Sequence, residues 1–308
     1  MSDLVIGGSG FVGRNLIRRL EAHGREVVCL DRVPDSTSSF TGTFIAGDAS
    51  NPQFLDSVLN ELQPGVVYHL AANSDIAAGI TDASLDFGDT LMTTLALRSA
   101  VERTPVEKIV FASSSAIFGV SEYAFAETSE SVPDPVSWYG KAKLASEYVL
   151  ESLAWADSSA KILMVRFPNV VGPLATHGVV FDFVRKLLSD PHQLAVLGDG
   201  FQTKPYLHVS ELIDGIQFFL ETLEKGITRI NIGPTDLVSV REIAEEVARA
   251  TGTNPDFTYQ NTPFGWPGDV PRYSFDTAKM NSAGFTINST SRQAVRRAAE
   301  DLVAELRP

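Results

Sequence analysis

A single cysteine is present among the 308 residues, so the chain can form neither an internal disulfide nor a cysteine-based zinc site. Cys29 lies in the apolar run Val27–Leu30, which favours a buried core position over a reactive thiol. No segment approaches the ~20 uncharged apolar residues of a membrane helix. The start of the chain also lacks the basic and apolar regions of a secretion signal. These absences predict a cytoplasmic protein without a metal centre.

Positive charge is also scarce, since 25 lysines and arginines face 38 acidic residues and give a net charge of −13. A nucleic-acid-binding protein needs a basic face, so this balance argues against that class. It does not exclude a small anionic ligand, because backbone amides at the start of a helix can bind one.

The first two-thirds of the chain alternates short apolar runs with amphipathic stretches. This alternation predicts βαβ units and a doubly wound parallel sheet of the α/β class. The predicted strands are Leu4–Ile6, Val27–Leu30, Thr43–Ala46, Val66–His69, Lys108–Ala112 and Lys161–Phe167. The predicted helices between them are Phe11–His23, Pro52–Leu62, Ala83–Arg103 and Tyr139–Ala156.

After about residue 168 proline and glycine become frequent and the helices are spaced irregularly, at Gly178–Leu188, Val209–Leu223, Ser239–Ala250 and Ser291–Leu306. This change predicts a smaller α/β lobe that binds the substrate. We assign residues 1–168 to the first domain, with 205–232 returning to it. Residues 169–204 and 233–308 form the smaller lobe.

The first predicted strand runs directly into a glycine-rich turn. Gly7, Gly10 and Gly13 have the spacing G-x-x-G-x-x-G, and the turn leads through Phe11 and Val12 into a helix. Glycine allows a ligand to approach the backbone closely, and the free amides of a helix start can hold a pyrophosphate. The position between a strand and a helix favours a dinucleotide site over a glycine-rich turn without a ligand.

Asp31 ends the second predicted strand, eighteen residues beyond Gly13. A carboxylate at this position can accept hydrogen bonds from the hydroxyls of an adenosine ribose and repel a 2′-phosphate, which favours NAD over NADP. Arg32 beside it weakens this preference, because an arginine can pair with a 2′-phosphate.

Further cofactor contacts are predicted at the ends of the third and fourth strands. Asp48 is assigned to the adenine amino group, with a solvated turn aspartate as the alternative. Small residues at Leu70–Ala72 allow the backbone to lie against the cofactor, whereas His69 is expected to be structural. The other predicted cofactor contacts are Ala49, Ser74, Tyr139, Lys143 and Pro168.

Tyr139 and Lys143 are four residues apart, so they share one face of their predicted helix. A tyrosine with a pKa near 10 is a poor base at neutral pH, and a nearby cation lowers that pKa. Such a tyrosine can remove a hydroxyl proton while hydride leaves the same carbon. A serine of the run Ser113–Ser115 can then orient the reacting oxygen, although serines are also common at the ends of strands.

Together these elements resemble the extended short-chain dehydrogenase/reductase family, in particular its nucleotide-sugar epimerases and dehydratases. The resemblance covers essentially the whole chain and implies an NAD-binding Rossmann domain. The matching segments are Gly7–Gly13, Asp31, Asp48, His69–Ala72, Ser113–Gly119, Tyr139–Lys143, Arg166–Pro173, Gly198–Val209 and Gly268–Lys279. It places the catalytic serine at Ser114, with Ser115 as the alternative, and both serines are expected to contact the substrate. It also implies a contact to the nucleotide-sugar at Asn169.

The chain departs from the family pattern mainly where the substrate phosphates are expected. Lys204 stands in place of an arginine and cannot make a bidentate contact. Trp266 replaces another arginine, so either Arg272 supplies the missing charge or Trp266 stacks on the substrate, with simple packing as the alternative. Thr90 and Phe118 stand where asparagine and tyrosine are usual. These changes affect the expected substrate more than the redox chemistry.

Among the reactions of the family, the sequence favours a redox-neutral epimerisation. A 4,6-dehydratase needs an acidic pair where this chain has Ser115 and Ala116, and a reductase usually takes NADP, which Asp31 disfavours. The resemblance therefore implies an NAD-dependent 4-epimerase of a UDP-hexose. A non-catalytic dinucleotide sensor is the alternative of another class. The family also implies a homodimer through Ala83–Arg103 and Tyr139–Ala156.

Overall fold

A computed structural model describes residues 2–34, 40–119, 125, 133–156, 159–263, 265, 270 and 272–307. Its strands, in chain order, are β1 Asp3–Ile6, β2 Val27–Asp31, β3 Thr43–Ala46, β4 Val66–His69, β5 Lys108–Ala112, β6 Lys161–Arg166, β7 Asn169–Val171, β8 Gln193–Val196, β9 Thr203–Lys204, β10 Tyr206–His208, β11 Gly226–Asn231, β12 Val238–Ser239 and β13 Asp256–Tyr259.

The helices are α1 Phe11–Ala22, α2 Pro52–Leu62, α3 Ile76–Thr81, α4 Ala83–Asp86, α5 Thr93–Arg103, α6 Trp138–Ala156, α7 Val179–Ser189, α8 Val209–Glu221, α9 Val240–Thr251, α10 Ala278–Ser282 and α11 Ser291–Leu306. A π-helical turn, Phe87–Met92, joins α4 to α5, and a 3-10 turn covers Ser115–Ile117. None of the helices in the described part of the chain could span a membrane.

The central sheet has the strand order β11-β6-β5-β4-β1-β2-β3, and the six strands from β6 to β3 run parallel to their neighbours. This confirms the predicted doubly wound sheet. The order reverses between β1 and β4, and in such sheets ligands bind at the carboxyl ends of the strands at this switch point. The glycine-rich turn follows β1 and therefore lies at that position.

Local sequence explains where most elements begin and end. Asn51 caps α2 by accepting hydrogen bonds from the amides of Gln53 and Phe54, and Pro52 fits the first helical position. Strand β6 ends at Arg166, one residue before the predicted end, since Pro168 has no N–H to extend a ladder. Capping boxes begin α9 and α11.

The predicted helix Ala83–Arg103 is not one regular α-helix, because the π-helical turn interrupts it. The chain also forms α3 and α10, two short helices that were not predicted. Helices of five or six residues contain too few positions for a periodic apolar pattern. The predicted core elements nevertheless agree with the structure to within about two residues.

The chain divides into two compact units. The first unit contains residues 2–119, 133–166 and 216–230 as far as they are described, and its core packs the sheet against α2, α5 and α6. The second unit contains Phe125 and the described residues of 167–215 and 231–307. Its core packs α7, α9 and α11 together. The domain bounds given above from the sequence stay a prediction.

Candidate active site

The glycine-rich turn after β1 is shaped by close backbone contacts. Gly7 has a φ of +83°, and a Cβ atom there would lie 2.6 Å from the amide nitrogen of Ala71. A Cβ atom on Gly13 would lie 2.5 Å from the carbonyl oxygen of Gly7. No side chain fits at either position. Gly10 is the N-cap of α1, and no described side chain caps the first turn of that helix. This arrangement fits a pyrophosphate, because it leaves helix-start amides for an anion.

Asp31 is held at this turn by two backbone hydrogen bonds. Its carboxylate accepts from the amide of Ser9 at 3.0 Å and from the amide of Arg32 at 2.7 Å. The guanidinium of Arg32 makes two hydrogen bonds of 2.9 Å to the carboxylate of Asp89. Arg32 therefore already has an anionic partner, and the carboxylate of Asp31 is the group placed to meet an adenosine ribose. Both observations fit NAD.

The remaining predicted cofactor residues differ in burial and location. Asp48 is exposed, and its Oδ1 accepts a hydrogen bond of 2.9 Å from the amide of Ser50, which lowers the pKa of the carboxyl group. The adenine contact of Asp48 stays a prediction. The backbone at Ala71 lies directly against Gly7. Ala49 is buried and Ser74 is exposed in the first unit, whereas Pro168 belongs to the second unit and packs against Gly233.

The three predicted catalytic groups come together in the first unit. The hydroxyl of Tyr139 hydrogen-bonds to that of Ser114, whose Oγ also accepts from the amide of Ala116 at 3.1 Å. Lys143 is buried; its Nζ donates to the carbonyl of Ala112 at 2.5 Å and lies 5.8 Å from the centre of the Tyr139 ring. The alternative serine, Ser115, begins the 3-10 turn.

Burial dominates the electrostatics of this set. It raises the pKa of Tyr139 to about 12, although the hydrogen bond to Ser114 acts in the opposite direction. It also lowers the pKa of Lys143 to about 7, against the attraction of Glu147. The sequence argument expected a lowered pKa for Tyr139. In the protein alone, the cost of burying a phenolate outweighs the effects that lower the pKa of Tyr139. Further positive charge is therefore needed to make Tyr139 a base at neutral pH.

His69 is structural, as predicted. Its ring is fully buried, Nε2 lies 2.8 Å from the hydroxyl of Thr94, and the ring packs 5.5 Å from that of Phe111. Burial, together with the charge of Lys143, lowers its pKa to about 3. His69 is therefore neutral at physiological pH and does not serve as an acid catalyst.

A buried ion pair behind the catalytic set was not singled out from the sequence. Glu147 and Arg166 are joined by two hydrogen bonds, from Nε at 3.0 Å and from Nη2 at 2.7 Å. The available signal was that Glu147 lies four residues after Lys143, so Tyr139, Lys143 and Glu147 share one helix face. The partner was hidden because Arg166 is nineteen residues away in the chain.

Of the predicted substrate residues, Ser114 and Ser115 lie in the first unit, whereas Asn169, Lys204 and Arg272 lie in the second. Asn169 begins β7, Lys204 ends β9, and Arg272 forms an isolated bridge with Thr203. The side-chain nitrogen of Asn169 is buried, and it has no hydrogen-bond partner among the described residues. Trp266 lies outside the described residues.

A cavity of about 380 Å³ in the second unit has a wall formed by Asp199, Phe201, Gln202, Thr203, Leu237, Pro263 and Arg272. Gln202 is only 4% exposed, and neither its amide nitrogen nor its amide oxygen has a partner within the described part of the chain. Buried polar atoms of this kind are normally paired. Gln202 is the second residue that sequence reasoning missed, although it lies in the matching segment Gly198–Val209.

Known proteins resemble this chain in sequence and in fold. A family model described as NAD dependent epimerase/dehydratase family matches residues 4–233. The UDP-glucose 4-epimerase of Bacillus subtilis (strain 168) is 27% identical over 312 aligned residues, which cover 91% of this chain and 90% of that protein.

Two solved structures share the fold along nearly the whole chain. The UDP-glucose 4-epimerase of Thermus thermophilus, in complex with NAD, is 28% identical with a TM-score of 0.87 and covers 98% of this chain and 99% of that one. MoeE5, in complex with UDP-glucuronic acid and NAD, is 28% identical with a TM-score of 0.88 and covers 99% of this chain and 100% of that one.

Proposed function

This chain belongs to the NAD dependent epimerase/dehydratase family, and we propose that it inverts C4 of a UDP-linked hexose through a 4-keto intermediate. The family and its NAD cofactor confirm the corresponding predictions from the sequence. The observation that carries the proposal is the assembled set of Ser114, Tyr139 and Lys143, with Tyr139 hydrogen-bonded to Ser114 and Lys143 packed behind its ring.

Tyr139 is the proposed acid–base residue. It takes the proton of the 4-hydroxyl group in the first half of the reaction and returns a proton in the second. Lys143 supplies the buried positive charge that favours the phenolate, and Ser114 holds the reacting oxygen by a hydrogen bond. When bound, NAD supplies a hydride acceptor, a hydride donor in its reduced form, and the cationic ring that further favours the phenolate. The residues proposed to hold NAD are the glycine turn and Asp31.

The residues after Ser114 support epimerisation rather than dehydration. Elimination of water from a 4-keto sugar needs an acid–base pair beside the catalytic hydroxyl, and this chain has Ser115 and Ala116 there. Reduction of an external substrate by NADPH is disfavoured because Asp31 lies at the ribose position and Arg32 is paired with Asp89.

The second unit is proposed to hold the nucleotide end of the substrate. The proposed contacts are Asn169, Lys204 and Arg272. For Trp266, a stacking or packing role stays a prediction. The unpaired amide of Gln202 adds a donor and an acceptor at the cavity wall. UDP is the proposed nucleotide, since the relatives described above are UDP-glucose 4-epimerases or bind a UDP-sugar.

The proposal is tested by incubating the purified protein with NAD and a panel of UDP-, GDP-, CDP- and dTDP-hexoses. We expect one UDP-hexose to be converted into its C4 epimer without net consumption of cofactor, as followed by proton NMR and by absorbance at the wavelength of the reduced nicotinamide. In a parallel incubation with added NADH or NADPH, stoichiometric oxidation of that cofactor would identify a reductase instead. If no sugar changes while NAD binds, the alternative of a dinucleotide sensor is correct.

A homodimer is also proposed, through the segments Ala83–Arg103 and Tyr139–Ala156. Several large apolar side chains on these segments are exposed, namely Met92, Leu95, Tyr148 and Trp155, the last at 78%. Exposed large apolar side chains are common at protein interfaces, which supports the proposal. Light scattering is expected to give twice the chain mass of 33.3 kDa, and Trp155→Glu is expected to reduce it towards the monomer. A monomeric mass for the unaltered protein at working concentration contradicts this proposal.

A further inference from the structure

Glu147 is a buried carboxylate that is surrounded by donors. It is 1% exposed and lies on α6, one turn after Lys143. Oε1 accepts from the hydroxyl of Ser113 at 2.5 Å and from Nε of Arg166 at 3.0 Å, and Oε2 accepts from Nη2 of Arg166 at 2.7 Å. Nε of Arg229 lies 3.5 Å from the same oxygen. Both carboxylate oxygens are therefore satisfied within the first unit.

Three consecutive residues at the end of β5 are tied to one face of α6. The carbonyl of Ala112 accepts from Lys143, the hydroxyl of Ser113 donates to Glu147, and Ser114 hydrogen-bonds to Tyr139. Residues i, i+4 and i+8 of a helix form one stripe along its surface. Three contacts thus fix the end of β5, which leads into Ser114, to helix α6. Of the three residues of α6 that make them, Glu147 is the one to which no chemical step has been assigned.

The strand β6 adds a further constraint on this carboxylate. Arg166 is 6% exposed, ends β6, and has its guanidinium carbon 5.2 Å from the ring centre of Phe118. A buried ion pair is seldom required for stability, because apolar side chains of similar volume often replace one without loss. The Glu147–Arg166 ion pair lies behind Lys143, so a role in the reaction explains it better than a role in stability.

Charges that face Lys143 come from several elements. On its own helix these are Tyr139 and Glu147, with Glu151 one turn further on. His69 faces it from β4 and is neutral. The cations Arg166 on β6 and Arg229 on β11 both contact Glu147, and Arg229 also pairs with Glu151 at 3.0 Å. Asp86 acts on Tyr139 from α4. Among these groups Glu147 is the anion whose attraction opposes the loss of the Lys143 proton.

We propose that Glu147 is a positioning residue of the reaction: held by Arg166, it fixes the end of β5 through Ser113 and keeps the ammonium group of Lys143 charged behind Tyr139. This inference rests on the proposed roles of Tyr139 and Lys143. It explains why an ion pair, and not an apolar contact, lies between the catalytic helix and two strands of the sheet.

The direction of the expected pH effect follows from the charge of Glu147. Its attraction raises the pKa of Lys143, which burial holds at about 7. Replacing the carboxylate by an amide removes this attraction, so the ammonium loses its proton at a lower pH and the phenolate loses its partner. Tyr139 itself is eight residues from Glu147, about 12 Å along the helix, so the direct effect on its hydroxyl is weaker. The alkaline side of the activity profile is therefore expected to move towards lower pH.

The test compares the pH dependence of kcat in Glu147→Gln and in Glu151→Gln. Both variants remove one negative charge from the same helix, and both carboxylates lie near Arg229. Glu151, however, is eight residues from Lys143 and its side chain is 25% exposed, whereas Glu147 is buried. We expect Glu147→Gln to lose about tenfold in kcat at pH 7, with the alkaline limb lowered by about one pH unit and KM changed less than about twofold. Glu151→Gln is expected to keep the limb of the unaltered enzyme. Equal losses at every pH in Glu147→Gln, or an equal shift in Glu151→Gln, would overturn the proposal.

Two further variants separate position from charge and keep the test decisive if Glu147→Gln does not fold. Glu147→Asp keeps the charge, so its alkaline limb should stay in place while kcat falls. Ser113→Ala removes only the hydroxyl, and we expect about a threefold to tenfold lower kcat at an unchanged limb. An unchanged kcat in folded Ser113→Ala contradicts the inference. An active Tyr139→Phe would contradict the proposed function instead, so the two failures are distinguishable.

Discussion

Glu147 in the first unit and Gln202 in the second are almost equally buried, at 1% and 4% exposure, but they differ in whether they have partners. The two oxygens of Glu147 accept from Ser113 and Arg166. The amide oxygen and nitrogen of Gln202 have no partner in the described part of the chain, and the side-chain nitrogen of Asn169 in the same unit has none either.

This difference supports a catalytic role for the first unit and a substrate-binding role for the second. A buried polar group without a hydrogen bond costs about 1–3 kcal/mol, so a fold tolerates one mainly where it has another use. The paired cluster of the first unit is proposed to hold Ser114, Tyr139 and Lys143 in place before a substrate arrives. The unpaired amides of the second unit are available to polar atoms of a ligand, and the departures from the family pattern at Lys204 and Trp266 belong to the same part of the sequence.

The largest expected effect tests the chemical side of this comparison. Tyr139→Phe removes only the hydroxyl that exchanges the proton, so kcat should fall by about 10²–10⁴-fold. NAD affinity, measured by fluorescence titration, should change little. Tyr148→Phe is the matched control, because Tyr148 lies on the same helix and the change keeps the apolar ring that is proposed for the dimer surface. Comparable activity in the two variants would remove Tyr139 from the mechanism.

An intermediate effect is expected at the cofactor site. Asp31→Asn loses the charge that accepts from the ribose hydroxyls and weakens the repulsion of a 2′-phosphate. NAD affinity should fall about tenfold to a hundredfold, and discrimination against NADP should fall with it. Calorimetric titration of both cofactors measures this. Glu61→Gln, an exposed charge change in the same unit, should alter neither affinity. Unchanged selectivity in Asp31→Asn would show that another group reads the ribose.

The smallest expected effect tests the recognition side. Gln202→Leu should weaken binding of the UDP-sugar about tenfold while leaving NAD affinity unchanged, because the ligand loses a paired donor and acceptor. The same change removes unpaired buried atoms, so the free energy of unfolding should stay level or rise by about 1 kcal/mol. Gln193→Leu, at an exposed position of the same unit, is the control. Lower stability with unchanged sugar binding would assign Gln202 to the core.

Features that depend on neighbouring residues could be predicted from the sequence, whereas contacts between distant segments could not. The strands of the sheet and the longer helices agree with the structure because their apolar patterns are local. The grouping of Ser114, Tyr139 and Lys143 was accessible through motif spacing, whereas the contact of Lys143 with the carbonyl of Ala112 was not predicted. The interruption of Ala83–Arg103 was not, since a π-helical turn has no distinct local pattern here.

The missed residues depend on contacts between distant segments. Glu147 pairs with Arg166 across nineteen residues and with Ser113 across thirty-four. The composition of a helix face shows that a glutamate is present but not whether a buried arginine opposes it. Gln202 was missed for a different reason. What distinguishes it is that its buried amide has no hydrogen-bond partner among the described residues, and only the three-dimensional structure shows this. Arg32 was ambiguous in the sequence until its pairing with Asp89 was seen.

The most direct test of the central claim is to follow a UDP-hexose that carries deuterium at C4, incubated with the enzyme and NAD in ordinary water. Hydride transfer to the cofactor and back predicts that the C4 epimer forms with the deuterium still at C4 and with no net change in reduced cofactor, as measured by NMR and mass spectrometry. Loss of the label to solvent, or net accumulation of reduced cofactor together with a 4-keto product, would contradict the account.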